Sequence, residues 1–299
     1  MPAGVAAHVR GVGFCLRLGF YVDGGERGVT PTALKIQGRT IMKQGKVTLL
    51  SAGPGALDLL TLRAARVLGQ ADVLLVDDLA NPEIATLAPQ ARVIAVGKRG
   101  GCRSTPQAFI ERMMCRFAKR GAHVVRVKGG DALMFGRAGE EMAALRRAGV
   151  PVEIVNGVSA AFAAAAGLGM SLTHRDHCAG VTFVTAHRQD GSAPNWAALA
   201  ATGTTLAIYM GLHRVEALSA TLLAHLDADT PAGAVQWAGT SQERRMVTSL
   251  GRLAADVRAA GFASPAILLV GGAVGEAAVC APSGDAPEVP GDSVIARAA

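Results

Sequence analysis

Aromatic residues make up only 4% of this 299-residue chain, so its core has to be built from aliphatic side chains and alanine. No apolar run is long enough to span a bilayer, which excludes a helical membrane protein. The stretch Ala6–Phe20 is broken by His8, Arg10, Arg17 and several glycines and does not form the apolar centre of a signal peptide. The cysteines, at 15, 102, 115, 178 and 280, are odd in number and include no CxxC pair. That excludes a disulfide framework and points to a reducing, cytoplasmic location where each thiol is a small buried hydrophobe. His174 has no companions at metal-ligand spacing, so no metal is expected. Lysine and arginine neither cluster in runs nor alternate with aromatics, so no nucleic-acid partner is expected despite a formal net charge of +7. Missing too are the G-x-G-x-x-G fingerprint of a dinucleotide fold and any phosphate-binding loop.

What is present is glycine, at 37 residues, and a regular alternation of short apolar runs with helical spacing. Val47–Ser51, Val73–Val76, Arg92–Val96, His123–Val127 and Pro151–Val155 read as strands. Leu59–Leu68, Gln107–Ala118 and Glu140–Ala148 read as the helices between them. This alternation argues for a parallel sheet covered by helices. A second series follows, with strands at Val181–Thr185, Thr205–Tyr209, Ala232–Gln236 and Ala266–Val270. Its helices are Ser159–Gly167, Val215–Ala224 and Leu250–Ala260. The fold class is therefore α/β with two domains, 45–156 and 157–276, joined near Asn156–Ser159. Residues 1–44 lack a sustained period and read as a poorly structured extension, with Met42 as an alternative start. Residues 277–299 are rich in proline, glycine and acid and read as a disordered tail.

Chemistry is expected where strands of the first domain end, because ligands of open α/β sheets bind outside the carboxyl ends of strands. Gly53-Pro54-Gly55 follows the first strand and lets backbone approach a ligand, or is simply a tight turn. Asp77 ends the second strand, as a proton acceptor or a solvated loop acid. Lys98 and Arg99 end the third, where they hold substrate carboxylates, deliver a proton or form a basic turn. Lys128–Arg137 (KGGDALMFGR) follows the fourth: two glycines permit close contact, Asp131 accepts hydrogen bonds and Met134 and Phe135 offer apolar surface, or the segment is a structural turn packed on the core. In Thr173-His174-Arg175-Asp176, His174 and Asp176 fit a role in bonding loop backbone, and Arg175 is a candidate for an anionic substrate.

Taken in order, these segments resemble the tetrapyrrole methylase family over about residues 45–275, and within it the branch acting on uroporphyrinogen III. The resemblance rests on AGPG at 52–55, LLTL at 59–62, VDDL at 76–79, VGKRGG at 96–101 and KGGDALMFGR at 128–137. It continues through NGVSAAFAAAAGLGMSLTHRD at 156–176, VTFVTAHR at 181–188 and IYMGL at 208–212. It implies two α/β domains with S-adenosyl-L-methionine in the cleft between them, and a homodimer. It implies methylation of uroporphyrinogen III at C2 and C7 to precorrin-2, which feeds sirohaem and, in some organisms, cobalamin. By the same resemblance Pro54, Gly129, Gly130, Asp131, Met134, Ser159, Ala160, Met210 and Gly239 meet the cofactor. Asp77 is the implied proton acceptor and Lys98 the donor. Arg99, Arg137 and Arg175 are candidate anchors for the acidic tetrapyrrole, which the basic body of the chain suits. The chain departs from the usual pattern at GPGAL (53–57), at GGDAL (129–133) and at Asn156-Gly157. The alternatives are another methyltransferase of this fold, such as a precorrin-4 methyltransferase, and a non-catalytic paralogue that binds cofactor or tetrapyrrole.

Overall fold

The computed structural model describes residues 33–36, 39–42, 44–97, 105–186 and 190–278. Strands β1 (Ala33–Ile36) and β2 (Arg39–Met42) pair antiparallel, within a stretch whose sequence predicts no regular element. Two five-stranded sheets follow, both inside one compact unit.

The first sheet contains β3 (Lys46–Ser51), β4 (Val73–Val76), β5 (Arg92–Ala95), β6 (His123–Lys128) and β7 (Val152–Val155), in the spatial order β5-β4-β6-β3-β7. Every pairing is parallel. Helices cover both faces, so the central strands are apolar on both sides. Val47 and Leu49 of β3 and Leu75 of β4 meet Ile110 and Met114 of α2 (Gln107–Lys119) and Leu145 of α3 (Ala138–Arg147). On the opposite face Leu50, Leu74 and Val125 meet Ala64 and Leu68 of α1 (Leu62–Leu68) and Ile84 of a 3₁₀ turn. Thr61 caps α1 by accepting the Ala64 N–H at 3.1 Å.

After β7 the chain enters α4 (Ala160–Gly167), whose small side chains let it lie close on the second sheet. That sheet contains β8 (Val181–Thr185), β9 (Thr205–Tyr209), β10 (Pro231–Gln236), β11 (Arg244–Ser249) and β12 (Ala266–Val270), ordered β11-β10-β12-β9-β8. It is mixed: β8 and β9 are parallel, while β12 runs against both β9 and β10. The carboxyl ends of β8, β9 and β10 therefore share one edge. α5 (Trp196–Ala201), α6 (Val215–Leu223) and α7 (Leu250–Ala259) cover the face opposite α4, with Leu218, Leu222, Leu253 and Val257 buried on Leu206, Ile208 and Leu268.

Candidate active site

Because β3 to β7 are parallel, the five loops that follow them leave the same edge of the sheet. The two central loops are bonded directly together. Gly53 N–H donates to Gly130 O at 3.1 Å, and Gly130 N–H donates to Gly53 O at 2.6 Å. Both glycines have positive φ, +72° and +66°, a conformation that other residues adopt at a cost. Pro54 and Gly129–Asp131 are thereby set side by side. Gly129 could not carry a side chain, since a Cβ there would lie 2.7 Å from Leu79 O. Asp131 ties its loop to the linker after β7: Oδ1 accepts Leu133 N–H at 2.8 Å and Oδ2 accepts Gly157 N–H at 3.0 Å. Ser51 Oγ accepts Ala132 N–H at 2.8 Å. Met134 follows in the same loop, half-buried, its N–H donating to Asp131 O.

The second sheet reaches the same place. Ala56 N–H donates to Gly239 O at 2.8 Å, and a Cβ on Gly239 would lie 2.7 Å from Pro54 Cγ. Glu243 holds the Gly239 loop by accepting its N–H at 2.6 Å, and also accepts Arg245 Nε at 2.5 Å. Tyr209, at the end of β9, shares a 2.7 Å hydrogen bond with Ser159 Oγ and accepts Ala161 N–H at 3.2 Å. Burial pushes the Tyr209 hydroxyl pKa up. The ring of Phe135, from the 129–137 loop, stands 4.8 Å from that of Tyr209. Met210 follows, exposed and with φ +56°. Among the described residues the Ala160 N–H, at the start of α4, has no hydrogen-bond partner.

The structure thus brings Pro54, Gly129, Gly130, Asp131, Ser159, Ala160 and Gly239 together where the two sheets meet, with Met134 and Met210 in the segments that carry Asp131 and Tyr209. The donor set there suits S-adenosylmethionine. Asp131 uses two of the roughly four acceptor positions of a carboxylate, leaving capacity for hydroxyl or ammonium donors. Ala160 N–H can donate to an acceptor, and Leu79, Leu133, Phe135 and Met210 expose apolar surface. The Ser159 hydroxyl is itself tied to Tyr209.

Asp77 stands at the carboxyl end of β4. Its N–H donates to Val127 O at 3.2 Å and its Oδ1 accepts Asp78 N–H at 3.0 Å. Its Oδ2 lies 3.4 Å from Arg126 Nη2, and about a third of the side chain, 35%, remains exposed. Lys98 and Arg99 lie outside the described residues. Gly97 just before them passes so near that a Cβ would overlap the Asp78 carboxylate.

Arg137, with φ +60°, already forks onto Glu140 at 2.9 and 2.6 Å. That pairing holds the Glu140 carboxyl below its ordinary pKa, so Arg137 can hold a substrate carboxylate only by sharing with Glu140. Arg175 is not brought to the cleft. Its loop is anchored by Cys178 Sγ to Thr205 Oγ1 at 3.3 Å and by His177 Nε2 to Glu276 Oε1 at 2.7 Å. Thr205 begins β9, whereas Tyr209 ends it, so the loop sits at the opposite end of the sheet, roughly 13 Å away at the rise of a strand. His174 and Asp176 bond within that loop: His174 Nδ1 accepts Asp176 N–H at 3.3 Å.

Tyr209, Glu243 and Arg126 were not among the residues the sequence singled out. Tyr209 had a signal, since it adjoins Met210, whereas Phe135 is named by the sequence beside Met134 as apolar surface. Glu243 carried none.

A family model described as tetrapyrrole (corrin/porphyrin) methylases matches residues 46–254, well over half the chain. The chain belongs to this family. It is 51% identical over 228 residues to the uroporphyrinogen-III C-methyltransferase of Pseudomonas aeruginosa, covering 76% of this chain and 93% of that one. Among solved structures it is similar to the uroporphyrin-III C-methyl transferase of Thermus thermophilus complexed with S-adenyl homocysteine. There the TM-score is 0.66 and the identity 37%, with 77% of this chain and 99% of that chain covered. It is also similar to a cobalt precorrin-4 methyltransferase, with TM-score 0.69 and 30% identity over 77% of this chain and 95% of that one. Among the described residues, no helix is long and apolar enough to cross a membrane, and no group of three His, Cys, Asp or Glu could hold a metal.

Proposed function

We propose that this methylase uses S-adenosyl-L-methionine to methylate uroporphyrinogen III at C2 and C7, giving precorrin-2. The observation that carries the reading is the cleft, where the GPG and GGD loops of one sheet close onto Ser159–Ala160, Met210 and Gly239 of the other. The 51% identity with a uroporphyrinogen-III C-methyltransferase, against 30% with a precorrin-4 enzyme, favours the first substrate.

Bound S-adenosylmethionine supplies an electrophilic sulfonium methyl group. The chain's task is then to orient and to manage one proton per transfer. Asp131 and Ala160 N–H hold the polar ends of the cofactor, while Met210 and Phe135 exclude water beside it. Asp77 Oδ takes the proton that the methylated ring then sheds from a neighbouring carbon or a ring nitrogen, directly or through one water. Arg137, shared with Glu140, faces the acidic periphery of the tetrapyrrole, and Lys98 and Arg99 serve the same purpose or return a proton. The reading extends to a cytoplasmic homodimer; light scattering that finds a monomer at working concentration removes that part alone.

The test is anaerobic incubation of the protein with uroporphyrinogen III and S-adenosylmethionine, followed by absorbance for precorrin-2. Asp77→Asn is expected to lower kcat by about 10²–10⁴, the range of a general base, with the Kd for S-adenosylhomocysteine unchanged. Full activity in this variant removes Asp77 from the mechanism. Cofactor binding without product from the unaltered protein favours a non-catalytic paralogue.

A further inference from the structure

Strand β6 carries two basic residues, Arg126 and Lys128, that share one face of the sheet at i and i+2 and are each 3% exposed. α3 covers them with Glu141, which is fully buried. Arg126 Nε lies 3.2 Å from Glu141 Oε1, and Lys128 Nζ lies 3.3 and 3.4 Å from its two oxygens. Gln107 of α2 adds a fourth bond to Glu141 at 3.1 Å. Arg126 then fans out: Nη1 donates to Val127 O at 3.0 Å and Leu75 O at 3.3 Å, and Nη2 reaches Asp77 Oδ2 at 3.4 Å. Burial, with Arg126 beside it, pushes the Lys128 ammonium pKa down.

A buried ion cluster is rarely the most stabilising way to fill a core, and apolar side chains of similar volume commonly do as well. Its geometry here has a direction. Two cations and two carboxylates form a chain that runs from the interior and ends on Asp77. Among the described residues, no other side chain hydrogen-bonds the Asp77 carboxylate. The guanidinium is planar with a fixed fork of donors, and its Nε and Nη1 are already held by Glu141 and two strand carbonyls. It therefore presents Nη2 to Asp77 with little freedom. Lysine in its place could not span Glu141, the carbonyls and Asp77 at once.

We propose that Arg126, clamped by Glu141 and charge-balanced by Lys128, is a positioning residue that fixes the Asp77 carboxylate in the orientation from which it accepts the proton. This rests on Asp77 being the base. Arg126→Lys keeps the charge and loses the reach. It is expected to lower kcat about ten- to hundredfold, the scale of a misplacement near 1 Å. KM for uroporphyrinogen III and the Kd for S-adenosylhomocysteine should stay within about twofold, because the cleft loops are untouched. In the double variant with Asp77→Asn the loss should not multiply, since a group that acts through Asp77 has nothing left to orient.

Unchanged kcat in Arg126→Lys, or losses that multiply in the double variant, overturns the proposal. Full activity in Asp77→Asn alone instead overturns the assignment of the base, so the two failures are read separately. Should Arg126→Lys fail to fold, Glu141→Asp shortens the clamp without removing a charge, and its coupling to Asp77→Asn is expected to be the same; multiplied losses there overturn the proposal equally.

Discussion

At His123 a single buried ring sets a pH response far from the cleft. Its Nδ1 lies 3.1 Å from Gln70 O, which can only accept, so Nδ1 carries the proton and Nε2 accepts from the Thr48 hydroxyl at 2.9 Å. Burial holds the imidazole pKa below its ordinary value of 6.5. In the unfolded chain the ring takes a proton near 6.5, so the unfolded state binds more protons as pH falls through that value. The stability from the neutral ring is thus complete above 6.5 and is lost as pH drops toward the folded value. His123→Gln keeps a donor and an acceptor without titrating. Its urea midpoint should fall less between about pH 7 and about pH 5 than that of the parent, and equal falls would contradict this. Residue identity alone could not show this role, because His123 merely opens an apolar strand. Asp131, by contrast, was legible as a hydrogen-bond acceptor, although its grip on the linker at Gly157 depends on a contact 26 residues away.

Two loops from different sheets are in close contact at Gly239 and Pro54. Gly239 has φ +73° and would drive a Cβ to 2.7 Å from Pro54. Gly239→Ala is therefore expected to cost about 1–2 kcal/mol for the left-handed backbone, with further loss from the displaced Pro54 loop. Calorimetry should find weaker binding of S-adenosylhomocysteine together with a lower Tm; a variant with both unchanged would separate this clasp from the cofactor site. The strands were legible to within a residue or two because apolar runs buried on both faces leave a continuous signal, as in Val47–Ser51. β11 was not, since Arg244, Arg245 and Thr248 give an edge strand no apolar alternation. α5 was also missed, because six residues are too few for helical periodicity to stand out. Arg126 and Lys128, charged at i and i+2 inside an apolar strand, were a signal of buried charge that could have been read. Arg175 could not be placed from sequence: its loop follows α4, and one pass of that helix carries the chain to the far end of the second sheet.

Over the whole molecule, parallel strand direction decides where chemistry can occur. The five strands of the first sheet all end at one edge, and the segments that follow β9 and β10 meet that edge from the other side. Two sheets with different pairing patterns thereby contribute to one cleft, which local pattern alone cannot predict. The net charge of +7 favours encounter with a polyanionic substrate. The central claim is two methyl transfers to one tetrapyrrole, and stoichiometry tests it most directly. Anaerobic turnover with isotope-labelled S-adenosylmethionine should release two S-adenosylhomocysteine per uroporphyrinogen III, with label at C2 and C7 by carbon NMR. Label at any other ring position, or no transfer to uroporphyrinogen III while a precorrin-4 substrate is methylated, would contradict the account.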